Sequence, residues 1–398
     1  MPDSSERNHA KMVEKTASLV ISSRRLPLET GGLASYEKML AVELTGRHRI
    51  SVEFQAAENV TGPDVDSSAL PGLFTVLDCS KDWKKWMHLA GRPFCHPLLQ
   101  AWIGFRFEKA FHATRAADRK SRPDVIHFVG TGWDFAGFGF LRLARLQCAR
   151  FTVWPAVHSG QWGDDRIDLR LYRQADAVFC QSRHEAGHLV DAGLDASKIV
   201  RCALPPMCLP GRDGRLLREQ WGIGERPVVL FLGRREESKG YPVLLQAWRR
   251  VLSTHPSAVL VLSGPGGSGY AALRDGLPAD SIRDLGIADE ETKARALSAC
   301  DVFCLPSAHE SFGIVFAEAF SYGKPVVCGP APASREWIEE GATGLHVDQD
   351  PREVAGALEA LLGDPCRASF MGDAGRRYQQ TNLTWENTLA SHLAAFGL

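Results

Sequence analysis

The sequence lacks any apolar run that approaches the roughly 18–20 residues needed to span a bilayer. Its first fifteen residues are polar and contain no apolar core of the kind found in signal peptides. The net charge is only −1 over 398 residues, which argues against a general nucleic-acid binder. These absences predict a cytoplasmic protein that is soluble or at most peripheral on the inner face of the membrane.

Metal-ligand and disulfide patterns are also missing. The ten cysteines form no C-x-x-C pair and no regular spacing, as expected for reduced core cysteines in a cytosolic protein. No His/Cys/Asp cluster has zinc spacing. The two D-x-D sequences, Asp64-Val-Asp66 and Asp348-Gln-Asp350, lie in turn-rich loops without further ligands nearby. We therefore predict neither a bound metal nor an organic cofactor.

Short apolar runs that resemble buried parallel strands alternate with helical segments along the chain. Seven strands are predicted before the Pro- and Gly-rich linker 205–226 and six after it: Ala17–Ser22, Ile50–Phe54, Leu73–Leu77, Asp124–Gly130, Phe151–Val157, Ala177–Ser182, Ile199–Cys202, Val228–Gly233, Ala258–Gly264, Ser281–Leu285, Val302–Leu305, Pro325–Cys328 and Gly344–Val347. Helices are predicted at Leu33–Leu44, Phe135–Leu146, His184–Ala192, Tyr241–Thr254, Glu290–Cys300, Gly313–Tyr322, Arg335–Glu340, Pro351–Leu362 and Trp385–Phe396. This pattern predicts an α/β protein with two doubly wound, Rossmann-like domains and a cleft between them.

The stretch 307–348 carries the strongest functional pattern, with two carboxylates, Glu310 and Glu318, eight positions apart. Glu310 follows a predicted strand, so it should lie in the loop at the carboxyl end of that strand. Glu318 should lie about one and a half turns into the next helix, at about 3.6 residues per turn. Gly313, at the loop–helix junction, lets the backbone approach a ligand, and the N–H groups of the first helical turn suit an anion such as a diphosphate.

A second loop, 233–240, brings Arg234 and Lys239 to the carboxyl end of another predicted strand. Two cations in such a position can neutralise a diphosphate. The alternative is a solvated charged loop, because Glu236 and Glu237 cancel much of the charge. The carboxylate pair in 307–348 favours phosphate binding.

A third loop, 264–269, matches G-x-G-x-x-G, and Asp284 lies twenty residues after Gly264. Read literally, this is a dinucleotide fingerprint. However, it occupies the second strand–helix turn of its domain and not the first, and Pro265 removes a backbone N–H. A loop that lines a nucleotide, or merely a tight turn, is therefore favoured over an NAD or FAD site.

In the N-terminal half, His158 directly follows a predicted strand, where its imidazole could contact a substrate or move a proton. A structural histidine that caps the strand is an equally good interpretation. His127 lies inside the preceding strand and is the weaker candidate. Gly31-Gly32, at a strand–helix junction, marks either a ligand-binding loop or an ordinary tight turn.

Residues 81–122 combine ten Lys/Arg and three Asp/Glu with seven Trp or Phe. Basic residues beside aromatic residues can dock on an anionic membrane surface. The simpler alternative is a long amphipathic helix whose aromatic side chains face the core.

Together, the spacing of Glu310 and Glu318, the loop 233–240, the pattern of residues 306–327 and the run GATGLHVD resemble the retaining family 4 glycosyltransferases of GT-B fold. The resemblance covers about residues 226–365 and is weaker before them. It implies an acceptor-side domain, 1–205, and a donor-binding domain, 206–375, with a C-terminal helix, 376–398, that crosses back to the first domain.

The resemblance also implies a role for each candidate residue. Arg234 and Lys239 would hold the diphosphate of a nucleotide sugar, with UDP favoured and GDP possible, and Gly264 would line the donor. Glu310 would bind hydroxyls of the transferred sugar and Glu318 those of the ribose. The remaining candidates are Phe312, Gly313 and Ile314 for the sugar and phosphates, Gly32 for the phosphate or acceptor, and His158 for the transferred sugar. The acceptor hydroxyl could belong to a glycan, a lipid-linked molecule or a small molecule, and no nucleic acid is expected.

Three other functions remain open. A hydrolase or epimerase of nucleotide sugars would use the same donor site. A non-catalytic protein that binds nucleotide sugars is disfavoured by the intact set of charged residues. A glycosidase with Glu310 and Glu318 as its acid/base pair is disfavoured because Glu318 should face the ribose.

Overall fold

A computed structural model describes residues 17–23, 32–57, 73–76, 105, 122–208 and 210–398 of the chain. The predicted D-x-D at Asp64–Asp66 and nearly all of the basic aromatic segment 81–122 lie outside these residues. None of the helices within them combines the length and the apolar character needed to cross a membrane.

The N-terminal half builds a seven-stranded parallel sheet of order β3-β2-β1-β4-β5-β6-β7. Its strands are β1 Ser18–Ser23, β2 Ser51–Ala56, β3 Leu73–Val76, β4 Val125–Val129, β5 Arg150–Trp154, β6 Ala177–Cys180 and β7 Ile199–Arg201. Its helices are α1 Gly32–His48, α2 Ala136–Gln147, α3 Arg166–Tyr172 and α4 Arg183–Asp191. The strand order reverses between β1 and β4, the place where doubly wound sheets bind ligands.

The C-terminal half repeats this arrangement in a six-stranded parallel sheet of order β10-β9-β8-β11-β12-β13. Its strands are β8 Val228–Leu232, β9 Val259–Ser263, β10 Ile282–Asp284, β11 Val302–Leu305, β12 Val326–Cys328 and β13 Gly344–His346. The helices after the first sheet are α5 Arg215–Trp221, α6 Tyr241–Thr254, α7 Ala271–Arg274, α8 Glu290–Ala299, α9 Ile314–Ser321, α10 Pro332–Arg335, α11 Pro351–Gly363, α12 Pro365–Asn382 and α13 Trp385–Phe396. The strand order of this second sheet reverses between β8 and β11.

Four helices differ from the sequence prediction, and two of them, α3 and α7, have no predicted counterpart. The helix predicted at Arg335–Glu340 is instead α10, which begins at Pro332 and ends at Arg335. Proline fits the first turn of a helix, where its missing N–H is not needed, and the chain turns at Thr343, whose hydroxyl accepts a bond from the Glu339 N–H (2.8 Å). The sequence analysis also missed α12, an 18-residue helix whose N-cap Asp364 accepts a bond from the Arg367 N–H.

The last helix, α13, packs against the N-terminal sheet. His392 stacks on Phe179 with ring centroids 4.4 Å apart, and its Nε2 lies 3.1 Å from the Tyr36 hydroxyl. Burial lowers the pKa of His392 to about 4, so this contact involves a neutral imidazole. The end of the chain therefore completes the core of the first sheet.

His127, the weaker of the two histidine candidates, belongs to the same core. It is fully buried in β4, and its Nδ1 lies 2.8 Å from the Thr152 hydroxyl. Burial, and then the nearby His392, lower its pKa. His127 is therefore a packed, neutral histidine away from the cleft.

Gly264 has a steric role in the second sheet. Its φ is +134°, and a Cβ on it would lie 1.9 Å from the carbonyl oxygen of Gly233. Its N–H donates to the carbonyl of Gly286 (2.7 Å), so this donor is already used within the protein. Asp284 is likewise occupied by Arg235 and Arg274 (both 2.8 Å). The G-x-G-x-x-G match therefore reflects close packing of adjacent loops, and not a dinucleotide site.

We expect Gly264→Ala to lower the free energy of unfolding by about 3 kcal/mol, because a side chain forces both a strained φ and a clash with backbone. Urea unfolding followed by circular dichroism measures this change. Gly269→Ala is the matched control, since a Cβ on Gly269 meets nothing within 4 Å. Equal stabilities of the two variants would contradict the steric role of Gly264.

Candidate functional site

A lysine–glutamate pair lies where the order of the second sheet reverses. Lys239, in the loop after β8, places its Nζ 2.8 Å from Oε1 of Glu310, in the loop after β11. The two side chains are only 12% and 11% exposed, and Nζ also donates to the His309 carbonyl (2.9 Å). Opposite charges shielded from water in this way interact more strongly than an exposed pair.

Close backbone packing sets the position of this pair. Gly240 follows Lys239 with a φ of +70°, and a Cβ on it would lie 2.3 Å from the carbonyl oxygen of Pro306. The loops after β8 and β11 therefore touch main chain to main chain, which only glycine permits here. Arg234, earlier in the same loop, is 62% exposed and lies 3.0 Å from Glu236.

His158 reaches the same cleft from the N-terminal domain. Its N–H donates to the Trp162 carbonyl (3.1 Å), which fixes the backbone of the loop after β5. Burial and the charge of Lys239 lower the pKa of His158, while the charge of Glu310 opposes that shift. The structure thus brings together three residues that the sequence analysis selected from distant parts of the chain.

Residues of both domains line this cleft. The N-terminal domain contributes Val157, His158, Ser159, Ser182, His184 and Glu185, and the C-terminal domain contributes Ala308, His309, Glu310, Ser311, Pro332 and Ala333.

The amino end of α9 forms another part of the site. Gly313, its N-cap, has a φ of +86°, and buried Phe312 stacks on Trp337 with ring centroids 4.9 Å apart. A Cβ on Gly32, the first residue of α1, would lie 3.5 Å from Ile314 Cγ2. The first domain therefore contacts this helix where its first-turn N–H groups lack partners within the helix.

Glu318 lies deeper in α9 and forms a second ion pair. It is 1% exposed, and its Oε1 lies 2.9 Å from Nζ of Lys293 on α8. Burial raises the pKa of Glu318, and the charge of Lys293 opposes that rise. Burial disfavours the charge of Lys293, but the adjacent Glu318 raises its pKa overall. Within the described part of the chain, Oε2 of Glu318 has no hydrogen-bond partner.

The sequence analysis did not select Lys293, although a signal for it was available. Lys293 precedes Ala296 and Leu297 by three and four positions, and both of these are buried. Residues at this spacing share one face of a helix, so a lysine here points toward the core and requires a buried anion.

The sequence analysis also missed two glutamates beside the cleft. The buried Glu185 accepts bonds from the N–H groups of Val157 (2.7 Å) and Gln181 (2.6 Å), which fixes the chain just before His158. Burial raises its pKa to about 8. From the other domain, Glu336 accepts bonds from the N–H groups of the first two residues of α4 (2.8 and 3.0 Å).

The structure gives Asp348 and Asp350 local partners. Asp348 lies 3.0 Å from Arg335, and Asp350 is the N-cap of α11. Across the described ranges, three or more His, Cys, Asp or Glu side chains nowhere gather in a way that could hold a metal ion.

Comparisons of sequence place the chain beside known enzymes. The sequence model of the family Glycosyl transferases group 1 matches residues 214–378. The GDP-mannose-dependent alpha-(1-6)-phosphatidylinositol monomannoside mannosyltransferase of Mycolicibacterium smegmatis is 31% identical over 301 residues, which are 68% of this chain and 76% of that protein. The D-inositol 3-phosphate glycosyltransferase of Geodermatophilus obscurus is 33% identical over 303 residues, which are 71% of this chain and 62% of that protein.

Solved structures resemble the whole fold. Anabaena Alr3699/HepE, crystallised with UDP and glucose, superposes with a TM-score of 0.72 at 16% identity over 96% of this chain and 99% of that one. Sucrose-phosphate synthase from Thermosynechococcus elongatus superposes with a TM-score of 0.73 at 21% identity over 96% and 98%. The architecture is therefore GT-B, as predicted.

We expect Lys293→Met to lower the free energy of unfolding by about 3–5 kcal/mol at pH 8, because it leaves a buried carboxylate without its partner. The loss of Lys293 raises the pKa of Glu318 further above its ordinary value of 4.5, so stability falls as the pH rises above that value. At pH 5 the destabilisation should be smaller. Urea unfolding at both pH values measures the effect.

Arg295→Met is the matched control, since Arg295 on the same helix pairs at 2.7 Å with Glu291, which is 51% exposed. An exposed pair should contribute less than about 1 kcal/mol at either pH. A Lys293→Met variant that behaves like this control would contradict the buried-pair interpretation.

Proposed function

The chain belongs to the group 1 glycosyl transferases, and we propose that it moves a sugar from a nucleoside diphosphate donor to an acceptor hydroxyl with retention at the anomeric carbon and without a metal. The observation that carries this proposal is the shielded Lys239–Glu310 pair, which faces His158 across the interdomain cleft. The proposal starts from the fold, the family and the activity as a glycosyltransferase. It adds the donor, the stereochemistry of transfer and the role of each residue.

The residues suit departure of a diphosphate. The bond between the anomeric carbon and the β-phosphate oxygen breaks, and its electron pair stays on the diphosphate. Lys239, the exposed Arg234 and the amino end of α9 would stabilise that charge. The acceptor oxygen bonds to the anomeric carbon on the same face, and its proton passes to the departing phosphate oxygen.

Glu310 would orient the sugar in this scheme and would not form a covalent bond to it. Its carboxylate would accept hydrogen bonds from sugar hydroxyls, and the hydrogen bond from Lys239 holds the carboxylate in place. Glu318 has an unpartnered oxygen that suits ribose hydroxyls. His158 would contact the transferred sugar, and its lowered pKa favours a neutral imidazole.

There are two candidate nucleotides. A GDP-sugar is supported by the 31% identical relative, which is GDP-mannose-dependent by name. A UDP-sugar is favoured by the resemblance to the family. The names of the relatives also contain phosphatidylinositol and inositol phosphate acceptors, and both carry hydroxylated rings.

Glu310→Gln tests the proposal, because it keeps the shape of the side chain but removes the charge that orients the sugar. We expect transfer to fall about 100-fold or more, a loss typical of removing one electrostatic contact from an active site. Thermal protection by GDP-mannose and by UDP-glucose measures donor binding separately and identifies the base, since a ligand stabilises the state that it binds.

Glu291→Gln is the control, because Glu291 lies at an exposed position of α8, and this variant should keep full transfer. Equal transfer rates for Glu310→Gln and the wild type would refute the role of Glu310. Rapid hydrolysis of the donor without an acceptor would instead favour the hydrolase, and binding without turnover would favour the non-catalytic protein. NMR of the product gives the configuration at the anomeric carbon and shows whether that configuration is retained.

Peripheral contact with a membrane is a further part of the proposal, carried by the basic aromatic segment 81–122. A lipid-linked acceptor, such as the relative's phosphatidylinositol, would require this contact. We expect co-sedimentation with vesicles of anionic lipid that weakens as salt rises, because the attraction is electrostatic. Absence of binding at low salt would remove this part of the proposal.

A further inference from the structure

Two tryptophans stand out by their exposure. Seven of the ten tryptophans lie in the described part of the chain, and among these only Trp133 and Trp162 are largely exposed, each at 43%. The other five are buried or half-buried: Trp154, Trp221, Trp248, Trp337 and Trp385. Tryptophan is enriched at binding surfaces, because its ring offers a large apolar face together with a polar N–H.

Both exposed tryptophans follow neighbouring strands of the first sheet, at its carboxyl edge. Trp133 follows β4, at the reversal point of the first sheet, and Trp162 lies in the loop after the neighbouring β5. The ring of Trp162 stacks on His158 with centroids 5.8 Å apart and planes inclined by 29°. His158 lines the cleft opposite Glu310, so Trp162 stands directly beside the proposed reaction centre.

Asp168, which is fully buried, ties the two loops together. Its Oδ1 accepts a bond from the Trp133 N–H (3.0 Å), and its Oδ2 accepts one from the Asp165 N–H (3.1 Å). The indole N–H of Trp133 in turn donates to Oδ2 of Asp165 (2.6 Å). One carboxylate on α3 therefore sets the position of both tryptophan-bearing loops.

Close packing reinforces this arrangement. A Cβ on Gly132 would lie 2.5 Å from the Ile167 carbonyl oxygen, so the loop after β4 rests directly on α3. Asp164, beside Trp162, accepts a bond from the Gly160 N–H (2.6 Å) and lies 2.7 Å from His188 Nε2. The two tryptophans thus stand on prearranged loops, which lowers the entropic cost of binding.

The chemistry of this surface suits a hydroxylated ring. The C–H face of a six-membered sugar or cyclitol ring is apolar and can stack on an indole. Its equatorial hydroxyls point outward, toward hydrogen-bonding groups such as the carboxylates of Asp164 and Asp165. Few other ligand classes combine a flat apolar face with a rim of hydroxyl donors.

We propose that Trp162, on a loop that Asp168 ties to the loop of Trp133, forms an acceptor subsite that stacks against a hydroxylated six-membered ring, either a glycoside or an inositol. This proposal rests on the proposed transferase function, which it extends to the chemical class of the acceptor. The acidic side chains beside both indoles favour a polyol over an anionic membrane surface, which carboxylates would repel.

Direct binding tests the subsite without the donor. Ligand-observed NMR titrations of the full-length protein would use methyl α-mannopyranoside, methyl α-glucopyranoside and myo-inositol, with glycerol as an acyclic polyol. We expect at least one cyclic probe to bind, and glycerol not to bind. Trp162→Ala should weaken that binding about 10-fold, the loss expected for one stacking contact, whereas Trp162→Phe should retain most of it.

Leu146→Ala is the control, because Leu146 is 48% exposed on α2 of the same domain without belonging to the proposed site. Comparing the binding of the two glycosides with that of myo-inositol shows whether the ring that binds is a sugar or a cyclitol. Unchanged binding to Trp162→Ala overturns the proposal, as does a wild-type protein that binds none of the cyclic probes. Binding of anionic vesicles that depends on Trp162, without binding of any cyclic probe, also overturns it.

The outcome for the subsite can be separated from the outcome for the proposed function. Sugar binding that depends on Trp162, in a protein that transfers nothing, would leave the subsite standing while the transferase reaction failed. Active transfer with the same acceptor KM in Trp162→Ala and the wild type would support the transferase reaction and refute the subsite.

Discussion

The contact between Lys239 and Glu310 depends on two strand-to-helix loops meeting where the order of the C-terminal sheet reverses. Each charge compensates for the burial of the other, because removing either one would leave an unpaired charge shielded from water. Their loops can meet only because Gly240 lacks a side chain against the carbonyl of Pro306. The topology thus determines where the charges lie, and the glycine determines how closely they approach.

A shielded lysine–glutamate pair occurs twice in the C-terminal domain. Glu310 and Glu318 are both shielded from water, and each has a lysine within 3 Å, from the loop after β8 in one case and from α8 in the other. The same segment therefore carries two acidic side chains that are each paired with a lysine. For Glu318, the charge of Lys293 opposes the rise in pKa that burial causes.

The sequence predicted every described strand to within a few residues, because buried parallel strands are short apolar runs bounded by turns. It also led to Lys239 and Glu310, whose loops must share one edge of a sheet, and to Glu318 on the helix that follows the second of these loops. Lys293 could not be chosen in the same way, since its partner is set by how two helices pack. The sequence analysis missed α12 because this helix carries few apolar residues, so that its capping by Asp364 is the main local signal.

The two domains make different physical demands on the sequence. The C-terminal side of the cleft holds buried charges, and buried charges need partners, so its residues can be predicted from the spacing of acidic and basic residues. The N-terminal side is built from loops that a few carboxylates hold through backbone N–H groups: Asp168 for the two tryptophans, Glu185 for the chain before His158. Such contacts leave no periodic pattern, because any residue can donate its N–H. Glu336 extends this principle across the cleft to the first turn of α4, where Glu185 lies. The backbone beside His158 is therefore linked through two carboxylates to the C-terminal domain that it faces.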